Sequence, residues 1–401
     1  MKMLSKCFFV LNFLLIFIPV ASANLLWDLN LANFHGEKLA MDQAGFLYAA
    51  GTQYKNSFDS AFRILKLTRE GQVVWDRYLK GGDKGLNMLT SIAVGGDGSV
   101  VVTGAGRLCD VGCKYDFMTA KYDASGNLLW RDLYDNGTGA EDWADEIRMD
   151  VWNNVYIVGH SYNGSNYDLL VIKYAPDGRR LSISRFDSGQ DDSPESAGQS
   201  LQIDIDGNVY VLEMSWLIKY ASDGTMLWKI LSDRASAFQL ASFGIVLTSP
   251  RGTASYDGAG TLMWRVEAGG STLATDTAGG IWLSKNEFVN NSYTRIVTSR
   301  LTSGGELMWQ QVFDSGTGRD SPSSIVVDQN LNAFVTGKTA SRPWPFGSFS
   351  SDFLVVAYSP GDGTPMWHDS SFKGWGTHAL PDGAGGVYAI GTGRVARFSG
   401  R

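Results

Sequence analysis

An apolar residue followed by tryptophan recurs along this chain, at Leu26-Trp27, Val74-Trp75, Leu129-Trp130, Leu227-Trp228, Met263-Trp264, Met308-Trp309 and Met366-Trp367. Ser182 stands in the same place after Asp177-Gly-Arg-Arg-Leu181. A second marker keeps step: a turn carrying Gly or Asn, then a short β-rich run, at residues 44–51, 97–104, 152–159, 206–212, 278–284, 330–337 and 384–391, with a worn copy at 242–248. A repeat of roughly 40–55 residues marks a repeat architecture and outweighs a reading by separate domains. A unit of that size cannot bury its own apolar face, so it must stack on its neighbours.

Each unit reads as four short strands. Strand A has the pattern of Thr90-Ser-Ile-Ala-Val94 or Ser324-Ile-Val-Val-Asp328, and strand B is the Val-Tyr-Val run. Strand C resembles Leu170-Val-Ile-Lys-Tyr174, and strand D is the Leu-Leu-Trp segment. The B runs are apolar at successive positions, so both of their faces need cover. Antiparallel four-stranded units at this spacing predict an all-β chain whose residues 24–401 form a single eight-bladed β-propeller, or a seven-bladed one if the short unit around Trp264 falls away. Gly393-Arg-Val-Ala-Arg-Phe398 reads as a strand C with no strand D after it, and Leu25-Leu-Trp27 as a strand D with nothing before it. The N-terminal strand is therefore expected to complete the last blade, which removes two loose sheet edges. Gly 47 and 12% aromatics suit turns and strands, and no stretch holds a helical apolar period, so almost no helix is expected.

Lys121-Tyr-Asp-Ala-Ser-Gly-Asn-Leu-Leu-Trp130, followed by Tyr134-Asp-Asn-Gly137, Asp142, Ile147 and Asn154-Val-Tyr-Ile-Val-Gly159, resembles the bacterial SBBP-type β-propeller repeat. More distantly, the Asp-x-x-Gly-x-x-x-Trp turns are similar to the tryptophan-docking repeats of quinoprotein (PQQ-type) propellers and of the propeller lipoprotein of outer-membrane assembly. The resemblance spans 24–401 and implies a secreted or envelope propeller, which is a statement about fold more than activity. The chain departs from the quinoproteins in lacking adjacent cysteines, and from the lipoprotein in having no cysteine placed for acylation.

Residues 1–23 read as a signal peptide: Lys2 and Lys6 precede an apolar run from Cys7 to Val20, and Ala21-Ser22-Ala23 offers a small-x-small cleavage site. Export to the periplasm or the extracellular space follows as an expectation. No later run reaches the ~20 apolar residues of a spanning helix. The formal charge is −7 and becomes more negative once Lys2 and Lys6 leave, which argues against nucleic acid as a partner. Of three cysteines, Cys109 and Cys113 survive maturation, and in an oxidising compartment they are expected to form a local disulfide.

No catalytic constellation emerges. His35, His160, His368 and His378 lack metal-ligand spacing, and Gly159-His160-Ser161 lacks the second glycine of a nucleophile elbow. The D–A connections repeat an acidic pattern, in Tyr134-Asp-Asn-Gly-Thr-Gly-Ala-Glu-Asp142, Phe186-Asp-Ser-Gly-Gln-Asp-Asp192 and Phe313-Asp-Ser-Gly-Thr-Gly-Arg-Asp320. Carboxylates recurring beside glycine in several units favour structural turns over a catalytic pair, although such hard oxygen donors would also admit calcium. Variation between the units falls in the D–A and B–C connections. These hold Trp143, Trp344 and Trp375, which could be apolar anchors or plugs between blades. The expected function is a non-catalytic binding scaffold for a protein or glycan partner, with Trp143, Trp344 and Trp375 as anchors and Asp142, Asp192 and Asp320 as polar contacts. The competing class is an enzyme on the same scaffold, a PQQ-like dehydrogenase or a polysaccharide lyase or hydrolase, for which no motif is present.

Overall fold

The computed structural model describes residues 21–82, 85–107, 113–189, 200–213, 215–290, 293–316, 318–341 and 350–399. The described residues form strands and turns without a helix. Four sheets are simple antiparallel ladders of four strands each, in the order A-B-C-D. The first runs Met88–Val94, Val100–Gly106, Asp116–Tyr122, Leu128–Tyr134, and the second Asp142–Met149, Val155–Tyr162, Tyr167–Tyr174, Arg180–Phe186. The third is Ser200–Ile203, Val209–Glu213, Trp216–Tyr220, Met226–Leu231, and the fourth Ala237–Ala241, Gly244–Ser249, Gly252–Tyr256, Leu262–Val266. The same order repeats in Thr272–Thr275, Ile281–Asn290, Tyr293–Leu301, Leu307–Phe313 and in Gly318–Val327, Ala333–Ser341, Ser350–Tyr358, Pro365–Lys373. A single parallel pair, Thr294 with Arg319, joins these two into one larger sheet.

The long strand Asn24–Met41 serves two units. Its second half pairs with Leu47–Asn56, which continues to Asp59–Leu67 and Val73–Leu79. Its first half pairs with the far end of the chain, Leu25 opposite Phe398 and Leu29 opposite Val395. There Gly386–Ser399 also pairs with Gly376–Pro381. Asn33, at φ 56, lets the strand change direction between its two partners.

Burial follows strand position. Val100–Gly106 and Asp116–Tyr122 are buried at every residue, whereas Leu128–Tyr134 exposes Leu128 and Leu129 at the sheet edge. The core lies between sheets. One cluster joins Tyr48, Phe62, Ile64 and Trp75 of one sheet to Leu89, Val100 and Met118 of the next, and another joins Tyr388, Ile390 and Val395 to Leu39, Leu47 and Leu65. Successive A strands also touch, including Asn24–Met41 with Gly376–Pro381.

The recurring tryptophan builds these junctions. Trp75 Nε1 donates to Ala124 O at 3.2 Å, Trp130 Nε1 to Pro176 O at 3.1 Å, and Trp264 Nε1 to Ser303 O at 3.0 Å, each carbonyl lying in the C–D turn of the next sheet. The ring covers a glycine in that turn: a Cβ on Gly363, at φ 72, would stand 2.4 Å from Trp309. Trp27 makes the same bond to Arg69 O at 2.8 Å. Ser182 has no ring to offer, and its neighbour Ser184 instead donates to Gly224 O at 2.8 Å.

Candidate functional site

In an antiparallel A-B-C-D sheet the B–C and D–A connections leave from the same edge. Hydrogen bonds tie them together across successive sheets: Asp142 N donates to Tyr115 O at 2.7 Å and Ser60 N to Gly85 O at 3.1 Å. This face carries the candidate residues.

The acidic D–A pattern turns inward. Asp142 is 0% exposed, and its carboxylate accepts from Asn136 N at 3.0 Å and Asn136 Nδ2 at 3.1 Å. Asp320 is likewise fully buried and accepts from Ser315 N at 2.8 Å and Ser315 Oγ at 2.7 Å. These two side chains close their own turns rather than face a partner, because the Gly-rich loops fold back over them and leave backbone N–H groups in need of acceptors. Asp192 and Trp344 lie outside the described residues, as does Cys109 of the Cys109/Cys113 pair.

Trp143 is half-buried and packs against Tyr115 in a tilted pair, ring centroids 4.7 Å apart and planes at 47°, and the Arg107 guanidinium caps Tyr115 at 4.0 Å. Arg107 also pairs with Glu141 at 3.8 Å. Trp375 is 48% exposed, with Lys338 Nζ 4.1 Å over its ring. Sequence reasoning missed two further aromatics here. Phe58 is 83% exposed and Phe288 72%, each near the tip of a B–C hairpin whose B strand is ten residues long. Both tips interrupt the repeat with an aromatic residue among polar ones, which was the available signal.

Beneath Trp143 lies a second group that sequence reasoning did not assemble. Asp116, Asp135 and Asp142 bring one carboxylate oxygen each within 4.8 Å of the others. Asp116 opens strand C of one sheet, Asp135 follows strand D of that sheet, and Asp142 opens strand A of the next. Burial, together with the charges of Asp135 and Asp142, pushes the Asp116 carboxyl up to about 6. Burial also raises Asp142, against the opposing pull of its hydrogen bonds. A cleft of about 340 Å³ opens elsewhere, where the short 237–266 sheet is lined by Leu247, Tyr256, Arg251 and Arg265. Asp233 beside it holds Arg265 at 2.8 Å from a left-handed backbone, φ 55.

Comparison with known proteins gives a fold and no activity. Residues 315–343 match the family model of the SBBP beta-propeller repeat. Among solved structures, the WD40 beta propeller domain of Doa1 superposes with a TM-score of 0.51 at 10% identity, covering 94% of this chain and 97% of that one. A protein of unknown function from Bacteroides caccae gives 0.41 at 15% identity over 66% and 93%, and the Neurospora crassa Pan2 WD40 domain 0.49 at 11% over 78% and 89%. No curated protein matches the sequence. The chain is an all-β protein with the β-propeller fold that carries an SBBP repeat.

Proposed function

We propose that this chain is an exported, non-catalytic eight-bladed propeller that binds a protein partner through its D–A/B–C face. The eightfold reading is supported by the four-stranded units, by tryptophan docking from sheet to sheet, and by the pairing of residues 24–30 with 394–399, which supplies the last unit with its strand D. Export rests on the 1–23 leader and places the protein in the periplasm or outside the cell, where Cys109 and Cys113 would pair.

The observation that carries the binding reading is the exposure of Phe58, Phe288 and Trp375 on one face, on three separate connections. Aromatic side chains held by rigid hairpins supply contact area at low entropic cost, and such residues dominate the energetics of protein interfaces. Their spread over several hairpins suits a broad partner surface more than a single sugar. Asp142 and Asp320 keep the loops in shape, while Trp143 serves through its tilted ring contact with Tyr115. Trp344 and Asp192 are assigned to the same face on their sequence positions.

The test is capture of partners from the native envelope, followed by affinity measurement with Phe58→Ala/Phe288→Ala/Trp375→Ala. The triple variant should weaken binding by more than ~2 kcal/mol, about thirtyfold. Trp152→Ala, on the opposite edge, should leave it unchanged. A loss under ~1 kcal/mol would sink the anchor assignment. Retention of purified glycan instead of protein would move the partner to the other class. The enzyme reading draws on one observation, the raised Asp116 carboxyl beside a second carboxylate, and turnover in a polysaccharide screen would favour it.

A further inference from the structure

The repeat provides its own controls for Asp116. Phe117 faces Tyr134 in the ladder, so Asp116 stands opposite Asp135 one step on. In the next sheet Leu169 faces Phe186, which makes Asp168 the counterpart of Asp116. There Arg185 Nη1 reaches Asp168 Oδ2 at 3.1 Å, and Asn163 Nδ2 donates to Asp168 Oδ1 at 2.8 Å. In the 318–373 sheet the counterpart is Asp352, directly opposite Lys373, whose Nζ lies 2.5 Å from Asp352 Oδ1. In the 272–313 sheet, where Ile296 faces Phe313, the same position is Arg295.

Among the described residues Asp116 has none of this. The place of Arg185 is taken by Leu133, since Met118 faces Leu133 as Leu170 faces Arg185, and the place of Lys373 by Asp135. Asp116 is 8% exposed, and among the described residues the charges acting on it are those of two further carboxylates. A buried carboxylate without a cation or donor is costly, and two like charges beside it add to that cost. An external cation would supply what the 142–186 and 318–373 sheets carry in their own side chains.

We propose that Asp116, Asp135 and Asp142 hold a divalent cation, calcium by preference, which fastens the 88–134 sheet to the 142–186 sheet on the loop face. Calcium sits 2.3–2.6 Å from its oxygens, so ligand atoms on one ion are separated by at most about 5 Å. The three carboxylate oxygens here fall within 4.8 Å of one another. All donors are hard oxygens without His or Cys, which suits calcium, magnesium or manganese, and a ligand drawn from an exposed loop tolerates the wider and less regular calcium shell. Asp142 keeps its bonds to Asn136, since each carboxylate oxygen has a second lone pair. The site stands independently of the partner-binding reading and needs no partner for its test.

Terbium is the probe, because it replaces calcium and is sensitised by nearby aromatics such as Tyr115 and Trp143. Full chain stripped with EDTA should bind one terbium with sensitised emission that calcium displaces. Asp116→Asn and the more exposed Asp135→Asn should each weaken binding at least tenfold, while Asp168→Asn, at a position that has its own arginine, should bind as wild type does. Melting in calcium against EDTA gives a second readout: wild type should gain several degrees and Asp116→Asn nothing. Wild-type emission retained in both Asp116→Asn and Asp135→Asn would overturn the site. So would a wild-type chain that shows neither emission nor a melting shift.

Discussion

Asp276 opens the A–B turn of its sheet and is saturated with donors. Its Oδ1 accepts from Ala278 N at 2.9 Å and Gly280 N at 2.7 Å, and its Oδ2 from Trp282 Nε1 at 2.8 Å and Arg300 Nη2 at 3.0 Å. Burial alone would raise this carboxyl, but those donors and the Arg300 charge hold it below its usual range. Arg300 in turn donates to Pro360 O in the next sheet at 2.6 Å, so one carboxylate anchors a turn, a strand and a junction. Asp276→Ala should destabilise the protein by ~3–5 kcal/mol in urea unfolding, because it strands a buried guanidinium, and Asp276→Asn should cost less. An Asp276→Ala loss below ~1 kcal/mol would refute the anchor role. This class of aspartate is legible in sequence: Asp150, Asp204 and Asp328 each sit four residues before an Asn whose backbone N–H they accept, the short-range signature of a turn. Asp116 is not legible in the same way. Its isolation depends on which residues face it across a ladder, Leu133 and Asp135, and strand register is a property of the folded sheet.

Tryptophan over glycine is the repeated joint between elements. Where the joint is present, the outer strand of one sheet is fixed to the C–D turn of the next by an indole hydrogen bond and by a ring filling the space a side chain would need. Gly363→Ala meets both obstacles, a positive φ of 72 and an indole 2.4 Å from the new Cβ. Thermal unfolding should show a loss of ~1–3 kcal/mol, larger than for Gly361→Ala, whose Cβ meets nothing within 4 Å. Equal losses at the two glycines would show that the ring contact contributes nothing. The strands could be read from the chain because local pattern fixes them: a short run apolar at successive positions, a turn glycine, a recurring indole. The loop face could be read only in outline. Trp375 is 48% exposed, whereas Trp143 packs against Tyr115, a neighbour 28 positions away that no local pattern links to it.

At the scale of the whole molecule, the pairing of residues 24–30 with 394–399 has the widest separation along the chain of any strand pairing among the described residues. Leu29 faces Val395, and Arg394 Nη1 pairs with Asp28 at 2.5 Å. Leu29→Pro puts a ring-locked residue without an N–H into this pairing and should cost ~3 kcal/mol or more, read from chemical denaturation. A proline tolerated there would mean that the joint carries little of the stability. The pairing also sets an order of events. A ribosome delivers Asp28 hundreds of residues before Arg394, so the first half of Asn24–Met41 has no partner until residues 394–399 emerge, although its second half can pair early with Leu47–Asn56. The intervening sheets can assemble by local contacts as they appear, while this step brings together groups that are 366 positions apart and must await the delivery of residues 394–399. Until then the Gly386–Ser399 edge and the strand it awaits are both open to foreign chains, so the molecule is most vulnerable to mispairing in its final moments of folding.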